Sequence, residues 1–194
     1  MVKLTTWINE PVVPAVESEN AITITADKKS DFFRDPGSDF RVGNAHIYAI
    51  EAGSEFSFEC RVKPTFTSEY DAGSIMFYAS EEQWIKFAFE NTDLGHTAVV
   101  AVVTSGVSDD SNGEVIIAES VYLKLSRKQN LFSLCYSLDG VLWRMVRLFR
   151  FDISADANCF VGVEAQSPVG EGCRVEFSDI NYSSNAPKDM RKGV

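Results

Sequence analysis

The stretch Asp71–Glu90, DAGSIMFYASEEQWIKFAFE, has the pattern of a β-hairpin and decides the fold. Two alternating runs, 73–79 and 84–90, flank a polar turn at 80–83. Because successive side chains of a strand point to opposite faces, each run divides into two sets. The apolar set predicts a core face made of Ile75, Phe77, Ala79, Ile85, Phe87 and Phe89. The other set mixes aromatic and charged residues and predicts a wetted face that includes Tyr78, Trp84, Lys86 and Glu90.

Similar short runs of apolar and β-branched residues recur along the chain, with turn residues such as Asp139-Gly140 between them. No segment shows sustained helical periodicity. This pattern predicts an all-β fold of two packed antiparallel sheets. The strand-like run 159–167 repeats the division of the hairpin, with Glu164 and Gln166 on the polar side. Its apolar side adds to the predicted core, together with part of the run 173–177: Val161, Val163, Val175 and Phe177.

The length of 194 residues suits a single domain, which we place at residues 1–182. The remaining residues, 183–194, are polar and basic and contain proline and glycine. Such a composition predicts a flexible C-terminal tail.

A formal net charge of −10 disfavours binding to nucleic acid or to anionic membranes, because both partners repel a negative surface. The first residues lack the apolar run of a secretory signal, and no segment approaches the ~20 apolar residues of a membrane span. These features predict a cytoplasmic protein.

The sequence predicts neither a metal site nor a cofactor. Its cysteines, Cys60, Cys135, Cys159 and Cys173, occur singly, which favours buried free thiols over a zinc site. A Cys159–Cys173 bridge requires an exported chain. The two histidines, His46 and His96, belong to no known catalytic motif, and dinucleotide and P-loop glycine patterns are absent.

Two segments come close to functional motifs. Glu69–Ser74 begins like the glucanase signature E-x-D-x-x-E, but Ser74 replaces the last carboxylate that the chemistry needs, so a structural role at a strand entry is favoured. Ser108–Glu119 nearly fits a calcium loop. Because strand-like residues precede it, the pair Asn112-Gly113 predicts a hairpin turn instead, and a non-helical calcium site stays open.

Several segments together resemble a domain-of-unknown-function family of the concanavalin A-like lectin/glucanase superfamily, the family that includes the fungal regulation-of-enolase protein. The resemblance covers nearly the whole chain, and it implies a jelly-roll sandwich with a concave sheet. The segments that carry it are 7–11 (WINEP), 31–34 (DFFR), 43–46 (GNAH), 71–73 (DAG), 84–86 (WIK) with Glu90, 136–140 (YSLDG) with Trp143, and 166–168 (QSP).

The leading hypothesis is a non-catalytic module that binds a carbohydrate or another polar small molecule on the concave sheet. Aromatic rings stack on the apolar faces of sugars, while charged groups pair with hydroxyls. Whether Trp84 serves the site or the core stays open, as does a simple salt bridge for the cluster of Asp31, Phe33 and Arg34. The predicted ligand-binding residues are Arg34 at the rim, Tyr78, Trp84, Lys86, Glu90, Glu164 and Gln166.

Two other functions stay open. One is a glycosidase-like or isomerase-like enzyme that uses a Glu90/Glu164 carboxylate pair. The sequence assigns no acid or base to this pair, because that requires the environment of each group. The other is a cytoplasmic regulatory or interaction protein, which would have a protein partner.

Overall fold

The computed structural model describes residues 2–154 and 156–194, and these form sixteen β-strands. In chain order the strands are β1 (Thr6–Ile8), β2 (Val16–Glu17), β3 (Ala21–Asp27), β4 (Phe32–Arg34), β5 (Arg41–Gly43), β6 (His46–Glu51), β7 (Glu55–Thr65), β8 (Ala72–Ser80), β9 (Gln83–Asn91), β10 (Thr97–Ser105), β11 (Val107–Val115), β12 (Val121–Lys128), β13 (Leu131–Ser137), β14 (Arg144–Arg150), β15 (Phe160–Gln166) and β16 (Gly172–Ser183).

Most strands belong to two large antiparallel sheets, which confirms the predicted all-β sandwich. The front sheet has the order β1-β6-β15-β8-β9-β10-β11, and the back sheet has the order β14-β13-β12-β7-β16-β3-β2. The hairpin β8–β9 lies inside the front sheet, with β15 next to β8 and β10 next to β9. The described residues include no helix with the length and hydropathy needed to cross a membrane.

The core lies between the two sheets, and the predicted face assignment is confirmed. Phe87, Val163 and Phe177 are completely buried in one cluster with the other predicted core residues except Ala79, which is partly buried and packs against it. Gly73 shows how closely the sheets approach: a Cβ added there would lie 2.4 Å from Cγ1 of Val175 and 2.6 Å from Cγ1 of Val62. Any side chain on this residue would therefore force the two sheets apart. The four cysteines are buried and free, as predicted.

A small two-stranded hairpin, β4–β5, covers part of the outer face of the front sheet. Its Phe32 ring makes edge contacts with Trp84 and Tyr78, at centroid distances of 5.7 and 6.1 Å. These rings and small residues of the sheet form a second, smaller apolar cluster. The sandwich thus carries a partial third layer.

The predicted turn at Asn112-Gly113 is wrong. Both residues lie within β11, and Asn112 pairs with Val100 of β10. The chain reverses instead at Gly106, whose φ of +78° is a backbone conformation that glycine adopts most readily. A left-handed residue between two long strands permits the tight reversal there.

The sequence predicts a flexible tail at 183–194, whereas the structure packs the last residues against the back sheet. Lys124 donates a hydrogen bond to the carbonyl of Gly193 at 3.0 Å, and Ser133 donates one to the carbonyl of Met190. The Met190 side chain is buried. The polar composition did not reveal this docking because backbone carbonyls make these contacts.

Candidate functional site

The site lies on the outer face of the front sheet, where register places polar side chains around small ones. Ala72 of β8 pairs with Glu90 of β9 on one side and with Gln166 of β15 on the other. Lys86, Ala88 and Glu90 are alternate residues of β9, so all three point to this same face of the sheet. The small Ala72 and Ala88 leave room above the sheet for the longer charged side chains.

Lys86 connects β9, β15 and the start of the β4–β5 hairpin through three hydrogen bonds. Its ammonium donates to Oδ1 of Asp31 at 2.9 Å, to the carbonyl of Phe32 at 2.9 Å and to Oε1 of Gln166 at 2.7 Å. An ammonium has three donors, so all of them are used. Burial by itself lowers the pKa of Lys86, but the carboxylates around it, Asp31 foremost, raise the pKa above its usual value. Lys86 therefore stays charged and pins the β4–β5 hairpin to the sheet.

A pocket of about 460 Å³ opens above this network. The sheet supplies its floor, the segment 31–40 supplies one wall, and the loops around Tyr70 and Pro168 supply another. Aromatic rings and carboxyl groups predominate in the lining, which consists of Asp31, Phe33, Phe40, Tyr70, Lys86, Glu90, Asp93, Val102, Asp110, Asn112, Gln166, Pro168 and Val169.

Glu90 is the unusual group of this pocket. Its side chain lines the cavity with 8% of the residue exposed, and it makes no hydrogen bond to any of the described residues. Burial raises the pKa of Glu90 to about 8, although the nearby Lys86 opposes the shift. At neutral pH a large fraction of this carboxyl is therefore protonated, and it can donate as well as accept a hydrogen bond.

Glu164 lies deeper. It is fully buried, both of its carboxyl oxygens lack a hydrogen-bond partner within the described chain, and it does not line the pocket. Burial raises the pKa of Glu164 to about 7, with Lys86 opposing the shift.

Tyr70 is held in the wall by an uncommon backbone conformation. Its φ is +63°, in the left-handed region that costs a non-glycine residue about 1 kcal/mol. Its carbonyl accepts a hydrogen bond from Nε2 of Gln166 at 3.0 Å, and its N–H donates to the carbonyl of Asn91 at 2.7 Å. Strained residues that surrounding contacts hold in place are concentrated at functional sites.

The structure distributes the seven predicted site residues over three places. Lys86, Glu90 and Gln166 line the pocket. Glu164 lies on the same face but is enclosed. Three residues lie outside the pocket lining: Trp84, which is 1% exposed, Tyr78 and Arg34.

The apolar and ionic contacts of these three residues explain their positions. Trp84 and Tyr78 pack under Phe32. Arg34 donates through Nε to the carbonyl of Gly106 at 2.7 Å and through Nη2 to Glu82 at 3.0 Å, at the turn end of the front sheet. Its neighbours Asp31 and Phe33 do line the pocket, so the acid, aromatic and base cluster of the sequence is divided.

Several lining residues were not singled out as ligand-binding residues from the sequence. Asp93 and Tyr70 lie beside Glu90 because of the central hairpin, whereas the remaining residues are brought there by strand order or by the docked β4–β5 hairpin: Phe40, Asp110, Asn112, Pro168 and Val169. Two signals were available: the position of Tyr70 directly before the central hairpin, and Asp110, which departs from the family pattern near the expected ligand side.

Asp71, in the glucanase-like stretch, has a structural role. It is completely buried and accepts hydrogen bonds from the backbone N–H groups of Thr67 and Ser68, both at 2.9 Å, and from the hydroxyl of Ser167 at 2.6 Å. These contacts fix the entry to β8. Among the described residues, no group of His, Cys, Asp or Glu side chains is arranged to hold a metal ion.

Two solved structures show the range of similarity to this chain: one resembles it in sequence and fold, and the other in fold alone. A functionally unknown protein from Saccharomyces cerevisiae superposes with a TM-score of 0.86 at 29% identity, covering 94% of this chain and 97% of that one. The carbohydrate-binding module CBM66 from Bacillus subtilis superposes with a TM-score of 0.57 at 13% identity, covering 95% and 99%. The second likeness concerns the fold alone.

Sequence comparison identifies the family. A curated relative, Regulation of enolase protein 1 from Saccharomyces cerevisiae, is 31% identical over 183 residues, which cover 94% of this chain and 89% of the relative. The family model described as "Protein of unknown function (DUF1349)" matches residues 7–185. The chain therefore belongs to the DUF1349 family.

Proposed function

We propose that the protein is a binding module whose pocket takes a carbohydrate or a related hydroxyl-rich small molecule. The observation that carries the proposal is Glu90, a buried carboxyl without a hydrogen-bond partner in the described chain, at the base of an open pocket. The fully enclosed carboxyl oxygens without a partner belong to Glu164 and not to Glu90. The Glu90 carboxyl therefore meets the open pocket, where a ligand hydroxyl can take the place of water as its hydrogen-bond partner.

The walls suit the same ligand. Phe40 is 58% exposed at the pocket, and Phe33 and Tyr70 line it as well. Sugar rings combine apolar C–H faces with hydroxyls, so they pack on aromatic rings while their hydroxyls pair with carboxyl and amide groups. The fold likeness to CBM66 adds support, because that module is described as carbohydrate-binding.

The enzyme alternative has less support from the geometry. A Glu90/Glu164 pair would have to reach one substrate from both sides, but only Glu90 lines the pocket and Glu164 is fully enclosed. The regulatory alternative is favoured by the name of the relative, Regulation of enolase protein 1. A small-molecule pocket is compatible with it, since a bound ligand could control a protein contact.

Saturation-transfer NMR with hexoses, pentoses, disaccharides and sugar alcohols at millimolar concentration tests the proposal. We expect transfer to at least one class, with loss of the signal in Phe40→Ala, whose ring is exposed and dispensable for the core. Val16→Ala, an exposed residue at the edge of the back sheet, is the matched control and should bind as the wild type does. No transfer to any class, or equal transfer in Phe40→Ala, would overturn the proposal.

A further inference from the structure

We propose that the ligand of this pocket carries a protonated amine in addition to its hydroxyl groups, as an amino sugar or an aminated polyol does, and that Glu90 receives the amine. This inference rests on the proposed function and deepens it by naming the ligand class. The charged groups that line the pocket, with their ion pairs, hydrogen bonds and burial, support it.

The lining contains four carboxyl groups and one amine. The carboxyls belong to Asp31, Glu90, Asp93 and Asp110, and the amine belongs to Lys86. Lys86 and Asp31 neutralise each other at 2.9 Å, and the two remaining ammonium protons go to Phe32 and Gln166. The pocket therefore has no spare positive group, and three carboxyls are left over.

These three carboxyls, Glu90, Asp93 and Asp110, form no ion pair with any described residue. A phosphorylated or carboxylated ligand would add like charge to this cavity, which is unfavourable at short range. Because Glu90 is largely protonated in the empty pocket, a neutral polyol would leave Asp93 and Asp110 without a counter-charge and Glu90 in its neutral form. A cationic ligand would supply the counter-charge.

Burial distinguishes Glu90 from the other two carboxyls. It is more than nine-tenths buried, it is without a hydrogen-bond partner among the described residues, and it lines the cavity. A buried carboxyl is stabilised by a donor that also carries charge, because charge-assisted hydrogen bonds are about twice as strong as neutral ones. An ammonium group of a ligand is such a donor.

An organic cation suits the pocket better than a metal ion. No group of acidic side chains in the described chain converges as metal ligands do. The aromatic wall of Phe33, Phe40 and Tyr70 favours a cation attached to a carbon skeleton, since rings attract ammonium groups and also pack against C–H groups.

Amine binding is then coupled to proton release. Glu90 faces Lys86 on its own strand, Asp110 on β11, Asp31 before β4 and Glu164 on β15, and Asp93 and Tyr70 line the same pocket. With a pKa of about 8 in the empty pocket, Glu90 holds a proton at pH 7. An arriving ammonium stabilises the carboxylate, so this proton leaves to solvent.

Matched ligand pairs test the inference by isothermal titration at pH 7. We compare sorbitol with 1-amino-1-deoxysorbitol, and glucose with glucosamine and N-acetylglucosamine. In the wild type we expect each free amine to bind about tenfold more tightly than its neutral partner, as a single charge-assisted hydrogen bond allows. Titrations in phosphate and in MOPS, a buffer that is not an aminated polyol, should differ in heat by the ionisation of the released proton.

The variant Glu90→Gln keeps the size of the side chain and removes the charge, so it should reduce the amine preference to near parity while neutral ligands still bind. Glu19→Gln, an exposed residue outside the pocket, is the control and should keep the full preference. Asp110→Asn, at the open side, should show a partial loss. Thermal melting of each variant verifies that the fold is retained.

The outcomes separate the two proposals. Equal affinity for amine and neutral partners in the wild type would overturn the inference and leave the proposed function intact. A full amine preference in Glu90→Gln would also overturn the inference. Absence of binding by both members of every pair would count against the proposed function itself, and the inference would fail with it.

Discussion

Glu164 of β15 and Ser74 of β8 lie directly opposite each other in the front sheet. Neither side chain has a partner that meets hydrogen-bond geometry within the described chain, although the Ser74 hydroxyl lies close enough to oppose the rise in the pKa of Glu164. Both are completely buried. A charged carboxylate in this position would be costly, which is why burial raises the pKa of Glu164 to about 7. The protein thus contains two buried acids, Glu90 and Glu164, that hold their protons to unusually high pH.

We expect the protein to be more stable at pH 5 than at pH 8.5. Glu164 has a pKa of about 7 in the folded state, against an ordinary value of 4.5. Because the folded state binds the proton more tightly, stability is full below pH 4.5 and is lost as the pH rises to about 7. The loss is on the order of 3 kcal/mol, and Glu90 extends the window to about pH 8.

Thermal and urea unfolding between pH 5 and pH 8.5 measure this dependence. Glu164→Gln cannot ionise, so its curve should be flatter than that of the wild type, and the variant should be more stable at pH 8. Glu19→Gln, with an exposed side chain, should follow the wild type. A wild-type stability that rises over this range would contradict the assignment.

Replacing Lys86 by methionine should destabilise the protein by about 3 kcal/mol, because it leaves the partly buried Asp31 and two further acceptors without their donor. The double variant Lys86→Met/Asp31→Asn should lose less than the sum of the two single losses, since the partners act as a unit. Urea unfolding gives the three values.

Hydrogen exchange should localise the effect of Lys86→Met to the β4–β5 hairpin, which loses its ionic anchor. Lys63→Met removes an exposed pair with Glu119 and should cost less than about 1 kcal/mol. Equal effects of the two methionine variants would show that Lys86 does not fasten the hairpin.

Phe87→Ala should cost about 3–5 kcal/mol, because the ring is completely enclosed between the two sheets and its removal leaves a cavity. The measurement is the free energy of unfolding in urea. Val16→Ala, on an exposed edge strand, should change stability by less than about 0.5 kcal/mol. A loss below about 1 kcal/mol for Phe87→Ala would mean that the core collapses around the missing ring.

Removing residues 188–194 should make Cys135 reactive. In the intact chain Cys135 is buried, and the backbone of Gly193 passes close to its sulphur. Truncation also removes one hydrogen-bond acceptor each from Lys124 and Ser133, which should cost roughly 1–3 kcal/mol, while Lys124 keeps its ion pair with Glu59.

Titration with a chromogenic disulfide before and after truncation tests the role of the C-terminal segment. Lys192→Ala changes an exposed side chain of the same segment and should leave Cys135 protected. Fast labelling of Cys135 in the intact protein would show that the segment does not cover it.

The alternation of side chains was sufficient to predict the core and the face that carries Lys86 and Glu90. A shift of one residue would have exchanged the whole set, so the buried Phe87 determines the position of Glu90 as well. Periodicity could not predict the strand order. That β15 lies beside β8, and that β11 closes the other side, depends on contacts between residues far apart in the chain.

The burial of Trp84 could not be predicted from the sequence for a related reason. Its neighbours on the strand are polar and suggested an exposed ring, but the β4–β5 hairpin docks over it through Phe32. The sequence of a short hairpin does not indicate which distant surface of the protein it packs against. The positions of Arg34, Tyr78 and the C-terminal segment follow from the same kind of distant packing.

The pocket draws its floor from the sandwich and one wall from residues 31–40, which pack as an added layer and are fastened ionically through Asp31 and Lys86. Floor and wall are therefore separable: changes within 33–40 that keep Asp31 and Phe32 alter the wall, while the residues packed between the two sheets stay the same. Descendants of one ancestral scaffold could exchange the segment and diversify their ligands without having to evolve a new fold.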